Sequence, residues 1–246
     1  MSELLIFGGT TEGRELADFC EESSIPAVVS VATTLGAQLL PHSTEVLCGR
    51  MDAAMIENLL EARGFSAVID ATHPFAHEAT ENIRRACAAC GVSYYRLLRK
   101  KCDITGETVP DMEHLVDVLK AFDGNILSTL GSKSLPSLTR VSDYETRLWV
   151  RLIPTPDILD DCEKLGFDRT HVLLRKPPFS VADHLRDIRQ SGAGLLVTKE
   201  SGAAGGYPEK AEASAKAGIR MLTLLRPKDE GYSLEEIKKM LREGKI

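Results

Sequence analysis

Apolar residues form two kinds of pattern that alternate along the whole chain. Short apolar runs, which predict buried strands, alternate with stretches in which apolar residues recur at helical spacing. The runs lie at residues 4–7, 27–32, 45–48, 66–70, 93–98, 125–129, 147–152, 171–174, 194–198 and 220–225. This alternation is typical of doubly wound, mostly parallel sheets with helices on both faces.

The predicted elements fall into two groups. Asp52 is a candidate N-cap for the helix after the third run. The apolar face of that helix is predicted to consist of Met55, Ile56, Leu59 and Leu60. The stretch 99–110 is polar and weakly patterned, and we interpret it as the crossing between domains. We therefore expect an N-terminal domain over 1–105 and a C-terminal domain over 106–246, which ends in a charged helix from Ser233.

Glycines join the first run to the first helical pattern. The segment L-L-I-F-G-G-T-T-E-G-R at residues 4–14 predicts a strand that turns through Gly8 and Gly9 into a helix. Such a turn leaves backbone N–H groups at the positive end of a helix dipole, where phosphate binds. The match to the G-x-G-x-x-G fingerprint is partial, so an ordinary strand-to-helix turn is the alternative.

Composition narrows the classes of partner. The net charge of −6 argues against nucleic acid and anionic membrane surfaces. No apolar run approaches the roughly 18 residues that span a bilayer, and no signal-peptide pattern opens the chain. We expect a cytoplasmic protein that is a monomer or a weak homodimer.

Cysteines and histidines give no metal site. Cys87 and Cys90 have redox spacing, but they lie at the end of a predicted helix, where the dipole raises a thiol pKa. His73 and His77 are four residues apart, but Pro74 keeps His73 out of the helix. We therefore expect structural thiols and no bound metal.

Polar groups follow five of the predicted strands. In parallel sheets, ligands bind beyond the carboxyl ends of the strands, so these groups are candidates for binding. They are Gly8 to Arg14, Thr33 and Thr34, Thr72 and His73, Gly131 to Ser134, and Lys199 to Gly206. The last two sets combine a lysine with a loop of small residues, which suits carboxylate or phosphate. Each could equally be a tight turn with an exposed lysine.

Four separated motifs resemble the precorrin-6A reductases of corrin-ring biosynthesis, including the cobalt-precorrin-6A reductases. They are F-G-G-T-T-E-G-R at 7–14, D-A-T-H-P-F-A at 70–76, Y-R-L-L-R at 95–99, and G-S-K at 131–133 together with V-T-K-E-S-G at 197–202. The resemblance implies two Rossmann-like domains with a cleft between them. It also implies an NAD(P)H-dependent enzyme that reduces one C=C bond of a polycarboxylate tetrapyrrole in that cleft.

The resemblance and the strand ends together predict the site residues. Those expected to bind the cofactor are Gly8, Gly9, Thr10, Thr11, Glu12, Gly13, Arg14, Ser30, Thr33, Thr34 and Thr72. Those expected to bind the substrate are His73, Pro74, Phe75, Arg96, Arg99, Ser132, Lys133, Lys199, Ser201 and Gly202. Leu130 and the K-P-P-F-S segment at 176–180 depart from the family pattern, which leaves open which side chains touch the macrocycle.

The reaction also needs a proton donor for the ring carbon next to the one that receives hydride. His73, Tyr95 and Lys199 are the candidates, and the sequence does not rank them. His73 could instead cap the following helix or pair with Asp70, and Tyr95 could be an ordinary strand residue.

Cofactor preference depends on the end of the second strand. An acidic residue there favours NAD and an arginine favours NADP, but the segment carries only Ser30, Thr33 and Thr34. The next arginine in the sequence is Arg50, so we expect NADH or NADPH with a slight preference for NADH. The alternative functions are a non-catalytic NAD(P)-binding regulator and an NAD(P)-linked oxidoreductase of another substrate.

Overall fold

The computed structural model describes residues 3–41 and 43–246. They divide into two compact units. Unit 1 comprises Met1–Lys100 and Lys228–Ile246, and unit 2 comprises Lys101–Pro227. None of the described helices is both long enough and apolar enough to cross a membrane.

Unit 1 is a parallel sheet with helices on both faces. In chain order its elements are β1 (Leu4–Phe7), α1 (Thr11–Glu22), β2 (Ala27–Val31), α2 (Thr34–Ala37), β3 (Glu45–Cys48), α3 (Ala53–Arg63), β4 (Ala67–Asp70), α4 (His77–Cys90) and β5 (Ser93–Arg96). The strand order among the described residues is β3-β2-β1-β4-β5, and every pair is parallel. The direction of winding therefore reverses between β1 and β4, which is where such sheets bind ligands.

Unit 2, whose residues are all described, is a second parallel sheet. Its elements are β6 (Glu107–Val109), α5 (Met112–Ala121), β7 (Ile126–Ser128), α6 (Leu135–Leu138), α7 (Tyr144–Arg147), β8 (Leu148–Leu152), α8 (Ile158–Lys164), β9 (Val172–Leu174), α9 (Val181–Ser191), β10 (Leu195–Lys199), α10 (Tyr207–Ala217) and β11 (Arg220–Leu224). The strand order is β6-β11-β10-β7-β8-β9. The fold class predicted from the alternating pattern, two parallel α/β units, is confirmed.

The last helix of the chain, α11 (Leu234–Arg242), corrects the predicted domain limits. We expected residues 228–246 in the C-terminal domain, but they belong to unit 1. Ile237 and Leu241 pack into the same apolar cluster as Leu16 and Phe19 of α1. Because α11 is strongly amphipathic, it needs an apolar face to cover, and α1 provides one.

The segment before α11 also joins unit 1. Tyr232 donates its backbone N–H to the Arg96 carbonyl at 2.8 Å and accepts from the Leu98 N–H at 2.7 Å. It thereby forms a parallel bridge with Leu97 at the edge of the sheet, beyond β5. The chain therefore returns to the first sheet after completing the second.

Two details of the sequence interpretation are wrong. Met55 is 52% exposed, because the buried face of α3 is formed by Ala53, Ile56 and Leu60 instead. The strand β6 lies inside the stretch that we interpreted as a crossing. Only Val109 of this edge strand is buried, so its sequence carries no apolar run.

Replacing Ile237 by Ala tests how firmly the C-terminal helix holds unit 1. Ile237 is fully buried, so its loss leaves a cavity that should cost about 2–5 kcal/mol of unfolding free energy. Urea denaturation followed by circular dichroism measures the change. Lys239→Ala is the control, because that side chain on the same helix is 73% exposed. A cost below about 1 kcal/mol for Ile237→Ala would contradict a packed helix.

Candidate functional site

The glycine loop of unit 1 has the geometry of a phosphate-binding turn. Gly9 has a φ of +99° with open space around the position of a Cβ atom, so the loop depends on glycine there. Thr10 caps α1 by accepting a hydrogen bond from the Gly13 N–H at 3.0 Å. A Cβ atom on Gly13 would lie 3.2 Å from both Gly8 Cα and Ala71 Cβ. The start of α1 therefore packs closely on the strand ends.

Neighbouring strands hold this loop in place. The Thr10 hydroxyl donates to the Ala71 carbonyl just beyond β4 at 2.8 Å. The Gly8 N–H donates to the Ser30 carbonyl of β2 at 2.8 Å. Ser30 is itself only 4% exposed, so it supports the loop from within the sheet. The loop spans the carboxyl ends of β1, β2 and β4, where winding reverses, and its residues fit a pyrophosphate group.

A groove of about 150 Å³ adjoins the glycine loop. It is lined by Gly9, Thr10, Thr11, Arg14, Gly36, Leu39 and Leu40. Thr33 caps the short helix α2 by accepting from the Gly36 N–H at 3.2 Å, and Thr34 begins that helix. The groove therefore joins the predicted phosphate loop to the predicted ribose-reading segment, and it contains the cationic side chain of Arg14.

The pairing of β2 with β3 brings a second arginine to this edge. Val31 pairs with Cys48, and the Gly49 N–H donates to the Val31 carbonyl at 2.9 Å. Arg50 lies two residues beyond the end of β3, as Thr33 lies two residues beyond the end of β2. Arg50 is exposed. Our slight preference for NADH considered the end of β2 alone, whereas the pairing of β2 with β3 brings the residues that follow both strands to the same edge of the sheet.

Arg99 and Glu12, predicted as substrate and cofactor ligands, bind each other. The Arg99 Nε and Nη2 atoms donate to Glu12 Oε2 at 3.1 and 2.9 Å. Both side chains are largely buried. The pair ties the first turn of α1 to the segment after β5.

Arg96, predicted to bind substrate carboxylates, is 3% exposed and lies in a buried polar network. Its Nη1 donates to Asp70 Oδ1 at 2.8 Å, and its Nε donates to Asp229 Oδ2 at 2.7 Å. Asp70 is fully buried and also accepts from the Tyr94 hydroxyl at 2.9 Å and the Thr72 hydroxyl at 2.6 Å. The network therefore holds both Arg96 and Thr72.

The remaining candidates of unit 1 lie in different surroundings. Tyr95 packs against the apolar cluster under α11, with its ring 5.9 Å from that of Tyr232. His73 accepts the Phe75 N–H on Nδ1 at 3.2 Å, in the turn with Pro74 that precedes α4. His73 thus shapes the loop that leads into α4, which begins at His77.

Two predicted lysines of unit 2 lie at and just beyond the carboxyl ends of adjacent strands. Lys133 belongs to a short turn, Ser132–Ser134, that follows β7, and Lys199 is the last residue of β10. Because β7 and β10 pair directly, their carboxyl ends are neighbours. Burial and the nearby Lys133 charge lower the pKa of Lys199. The geometry therefore brings together two cations that were 66 residues apart in sequence.

The loop after β10 is closed by side chains. The Ser201 hydroxyl donates to the Gly205 carbonyl at 3.1 Å, and Gly202 has a φ of +71°. The Lys210 ammonium of α10 donates to the same carbonyl at 3.1 Å. Ser201 and Gly202, which we predicted as substrate ligands, thus lie in a loop whose Gly205 carbonyl accepts a hydrogen bond from Lys210. Lys210 was not among the residues predicted from the sequence.

Lys210 is only 6% exposed. Burial and the charges of Arg151 and Lys199 lower its pKa to about 7. The helical spacing in the sequence could have indicated this residue, because Lys210 shares the buried face of α10 with Tyr207 and Ala213. A lysine on the apolar face of an amphipathic helix is a candidate for a functional role, because its charge is costly to bury.

A second buried polar group of unit 2 was also missed. The Nη1 atom of Arg151, on β8, lies 2.8 Å from His184 Nδ1 and donates to Asp187 Oδ2 at 3.2 Å. Both partners are on α9. Burial and the Arg151 charge lower the pKa of His184 to about 3, so that ring is neutral. The Arg151 guanidinium also lies 4.1 Å from the centre of the Phe179 ring. Arg151 therefore contacts the 176–180 segment through Phe179.

The cysteine pair fits the structural interpretation. Cys87 is 2% exposed, and burial raises its pKa to about 12. Burial also raises the pKa of Cys90. Neither thiol has the lowered pKa of a redox-active cysteine.

Known proteins match nearly the whole chain. Residues 3–242 match the family model described as precorrin-6x reductase CbiJ/CobK. The chain is 30% identical over 231 residues to the cobalt-precorrin-6A reductase of Salmonella typhimurium, covering 92% of this chain and 88% of that protein. It is also 30% identical over 235 residues to the precorrin-6A reductase of Rhodococcus erythropolis, covering 92% and 90%.

A solved structure agrees with these sequence matches. The structure described as CobK precorrin-6A reductase superposes with a TM-score of 0.78 at 26% identity, covering 99% of this chain and 97% of that one. The resemblance inferred from the four motifs is therefore confirmed. The chain belongs to the precorrin-6x reductase family of oxidoreductases.

Proposed function

We propose that this reductase of cobalamin biosynthesis uses NADPH to reduce one C=C bond of precorrin-6A or of its cobalt complex. Unit 1 binds the dinucleotide, and unit 2 binds peripheral carboxylates of the macrocycle. The observation that carries the proposal is the glycine loop at the point where the winding of the first sheet reverses. Relatives named for the cobalt and metal-free substrates are both 30% identical, so both forms are candidates.

Assay of the purified chain tests this function directly. NADPH and precorrin-6A, or cobalt-precorrin-6A, are mixed with the protein, and loss of reduced nicotinamide is followed together with the mass of the product. A gain of two hydrogen atoms that depends on the protein supports the proposal. No turnover of either form, with either reduced nicotinamide, would contradict it.

NADPH is the cofactor that the charges near the ribose segment favour. Arg14 lines the groove beside Gly36, and Arg50 lies two residues beyond β3, the strand that pairs with β2. A guanidinium suits a 2′-phosphate because it offers a planar pair of donors. Together these observations support NADPH over our sequence-based preference for NADH.

The reduced nicotinamide supplies the hydride when bound. The residues of the chain therefore have to bind both ligands, orient the macrocycle towards the nicotinamide and supply the proton. Lys199 ends β10, and Lys133 lies in the turn that follows the neighbouring strand β7; two ammonium groups there suit a substrate that carries several carboxylates. Of the three candidate proton donors we favour Lys199, because its lowered pKa eases proton release. Tyr95 packs against an apolar cluster, and His73 is engaged in its own turn.

Replacement of Gly9 by Val tests the phosphate loop. A branched side chain at φ +99° strains the turn and occupies the space that a pyrophosphate would approach, so we expect NADPH binding to be lost. Calorimetric titration of NADPH measures the affinity. Gly64→Val is the matched control, since Gly64 also has a positive φ and open surroundings but caps the end of α3. Unchanged affinity in folded Gly9→Val would remove the phosphate loop from the proposal.

Replacement of Arg50 by Ala tests the choice of cofactor. Loss of a charged hydrogen bond to the 2′-phosphate should lower kcat/KM for NADPH by roughly 10-fold and leave that for NADH nearly constant. The ratio of the two values is the readout, because general damage changes both. Arg85→Ala is the control, an exposed arginine on α4. An unaltered ratio in Arg50→Ala would mean that this arginine does not read the ribose.

Replacement of Lys199 by Ala separates binding from proton transfer. If Lys199 only binds a carboxylate, KM for the macrocycle should rise while kcat holds; if it donates the proton, kcat should fall as well. NADPH affinity should stay within about 2-fold in either case, because Lys199 belongs to unit 2. Lys164→Ala on α8 is the control, with a side chain 74% exposed. Loss of NADPH affinity with normal macrocycle kinetics would assign Lys199 to the cofactor instead.

A further inference from the structure

Asp229 is held by two arginines from different elements of unit 1. Its Oδ2 atom accepts from Arg96 Nε, on β5, at 2.7 Å, and its Oδ1 atom accepts from Arg84 Nη2, on α4, at 2.7 Å. Burial opposes ionisation of this carboxyl group, but the hydrogen bonds and charges of the two arginines outweigh it and lower the pKa of Asp229. Asp229 was not among the residues predicted from the sequence. It belongs to residues 228–233, which we call the return segment because the chain there re-enters unit 1.

The backbone of the return segment also packs against Arg96. The Tyr232 N–H donates to the Arg96 carbonyl at 2.8 Å. A Cβ atom on Gly231 would overlap that carbonyl oxygen and lie 2.9 Å from Arg96 Cβ, so this close approach requires a glycine. Side-chain and backbone contacts together therefore fix Arg96 against the return segment.

Arg96 in turn holds the backbone of the loop after β4. Its Nη1 atom donates to the carbonyl oxygens of Asp70 and Thr72 at 3.1 and 3.2 Å. The same atom donates to the Thr72 hydroxyl at 3.1 Å. One guanidinium nitrogen thus binds the residues on both sides of Ala71, which is itself 2% exposed.

Ala71 joins this loop to the glycine loop. Its carbonyl accepts from the Thr10 hydroxyl at 2.8 Å. A Cβ atom on Gly13 would lie 3.2 Å from the Ala71 methyl carbon, so the start of α1 packs directly on this residue. A chain of contacts therefore runs from Asp229 through Arg96 and Ala71 to the loop that binds phosphate in the proposed function.

We propose that Asp229 is a positioning residue for NADPH, because by holding Arg96 it fixes the 70–72 backbone that supports the glycine loop. The inference rests on the proposed function for the identity of the dinucleotide. Asp229 acts through Arg96 and not by contact with the cofactor. If it served only the stability of the fold, its loss would lower the free energy of unfolding, and the folded protein would still bind NADPH normally.

Calorimetric titration of NADPH into Asp229→Asn tests the positioning role. Asparagine keeps the size of the side chain, but it carries no charge and its amide nitrogen does not accept, so one of the two arginines loses its acceptor. We expect the affinity for NADPH to fall roughly 5-fold or more. In the macrocycle assay, KM for NADPH should rise by a similar factor while kcat at saturating NADPH holds.

Two controls separate this effect from lost charge and from lost stability. Glu230→Gln removes an exposed charge at the neighbouring position. Ile237→Ala weakens unit 1 through α11 and lies outside the contacts between Asp229 and Thr10. Both variants should keep NADPH affinity within about 2-fold of wild type. Unchanged affinity in Asp229→Asn, or an equal loss in Ile237→Ala, would overturn the inference.

Amide hydrogen exchange of the protein without ligand locates the effect. Asp229→Asn should speed exchange at residues 71–76 and in the glycine loop, whereas Ile237→Ala should speed it in α11. Arg84→Met is a milder second variant, because it removes one arginine from Asp229 and leaves the buried Arg96 paired. It should speed exchange at 71–76 by a smaller amount. No change at 71–76 in either variant would overturn the inference.

These results are distinct from a failure of the proposed function. If wild type binds NADPH and Asp229→Asn matches it in affinity and in exchange at 71–76, the function stands and the inference falls. If wild type binds no dinucleotide but Asp229→Asn speeds exchange at 71–76 and in the glycine loop, the function falls and the connection between the return segment and the glycine loop stands.

Discussion

The buried carboxylate of Asp70 is the constraint on which much of unit 1 depends. A fully buried charge must be compensated by hydrogen bonds and an opposite charge, and Asp70 obtains both from Arg96, Thr72 and Tyr94. Through Arg96 the network reaches Asp229, in the segment that returns from the second sheet. One carboxylate thus fixes the loop after β4, the end of β5 and the path of the chain into α11. Removing Arg96 would leave the charge of Asp70 buried without its cationic partner, so the members of the network depend on one another.

Local signals made the elements predictable. The strands β1 and β3 have the predicted limits; β1 is an apolar run of four buried residues, and β3 carries Val46 and Leu47 at its centre. Asp52 caps α3 as expected, by accepting from the Met55 N–H at 2.9 Å. The edge strand β6 was not predicted, because only one of its three residues is buried and its sequence therefore has no run or alternation of apolar residues. The position of α11 was not predicted. The amphipathic pattern of a helix shows that its apolar face must be buried, but it does not show which element covers that face.

The site was predictable only as a set of strand ends. The glycine loop and the pair Lys133 and Lys199 follow from the rule that parallel strands share a carboxyl edge. We assigned Arg96 to substrate carboxylates for a different reason. The sequence shows where an arginine is, but it does not show that carboxylates of the same chain, Asp70 and Asp229, bind it. Arg50 shows a related limit, because its place at the same edge of the sheet as Thr33 follows only from the pairing of β2 with β3. Distances across a sheet are set by pairing, which the local pattern does not contain.

The two units use buried cations in opposite ways. In unit 1 the arginines that looked available to a substrate meet carboxylates of the chain, Arg96 with Asp70 and Arg99 with Glu12. In unit 2, Lys199 and Lys210 each have a pKa lowered in part by a neighbouring cation. Neighbouring like charges disfavour the charged form of each group, which together with burial is why these two pKa values fall. The net charge of −6 therefore does not describe the electrostatics of every part of the chain, because in unit 2 cations lie close enough to lower the pKa of a neighbouring cation.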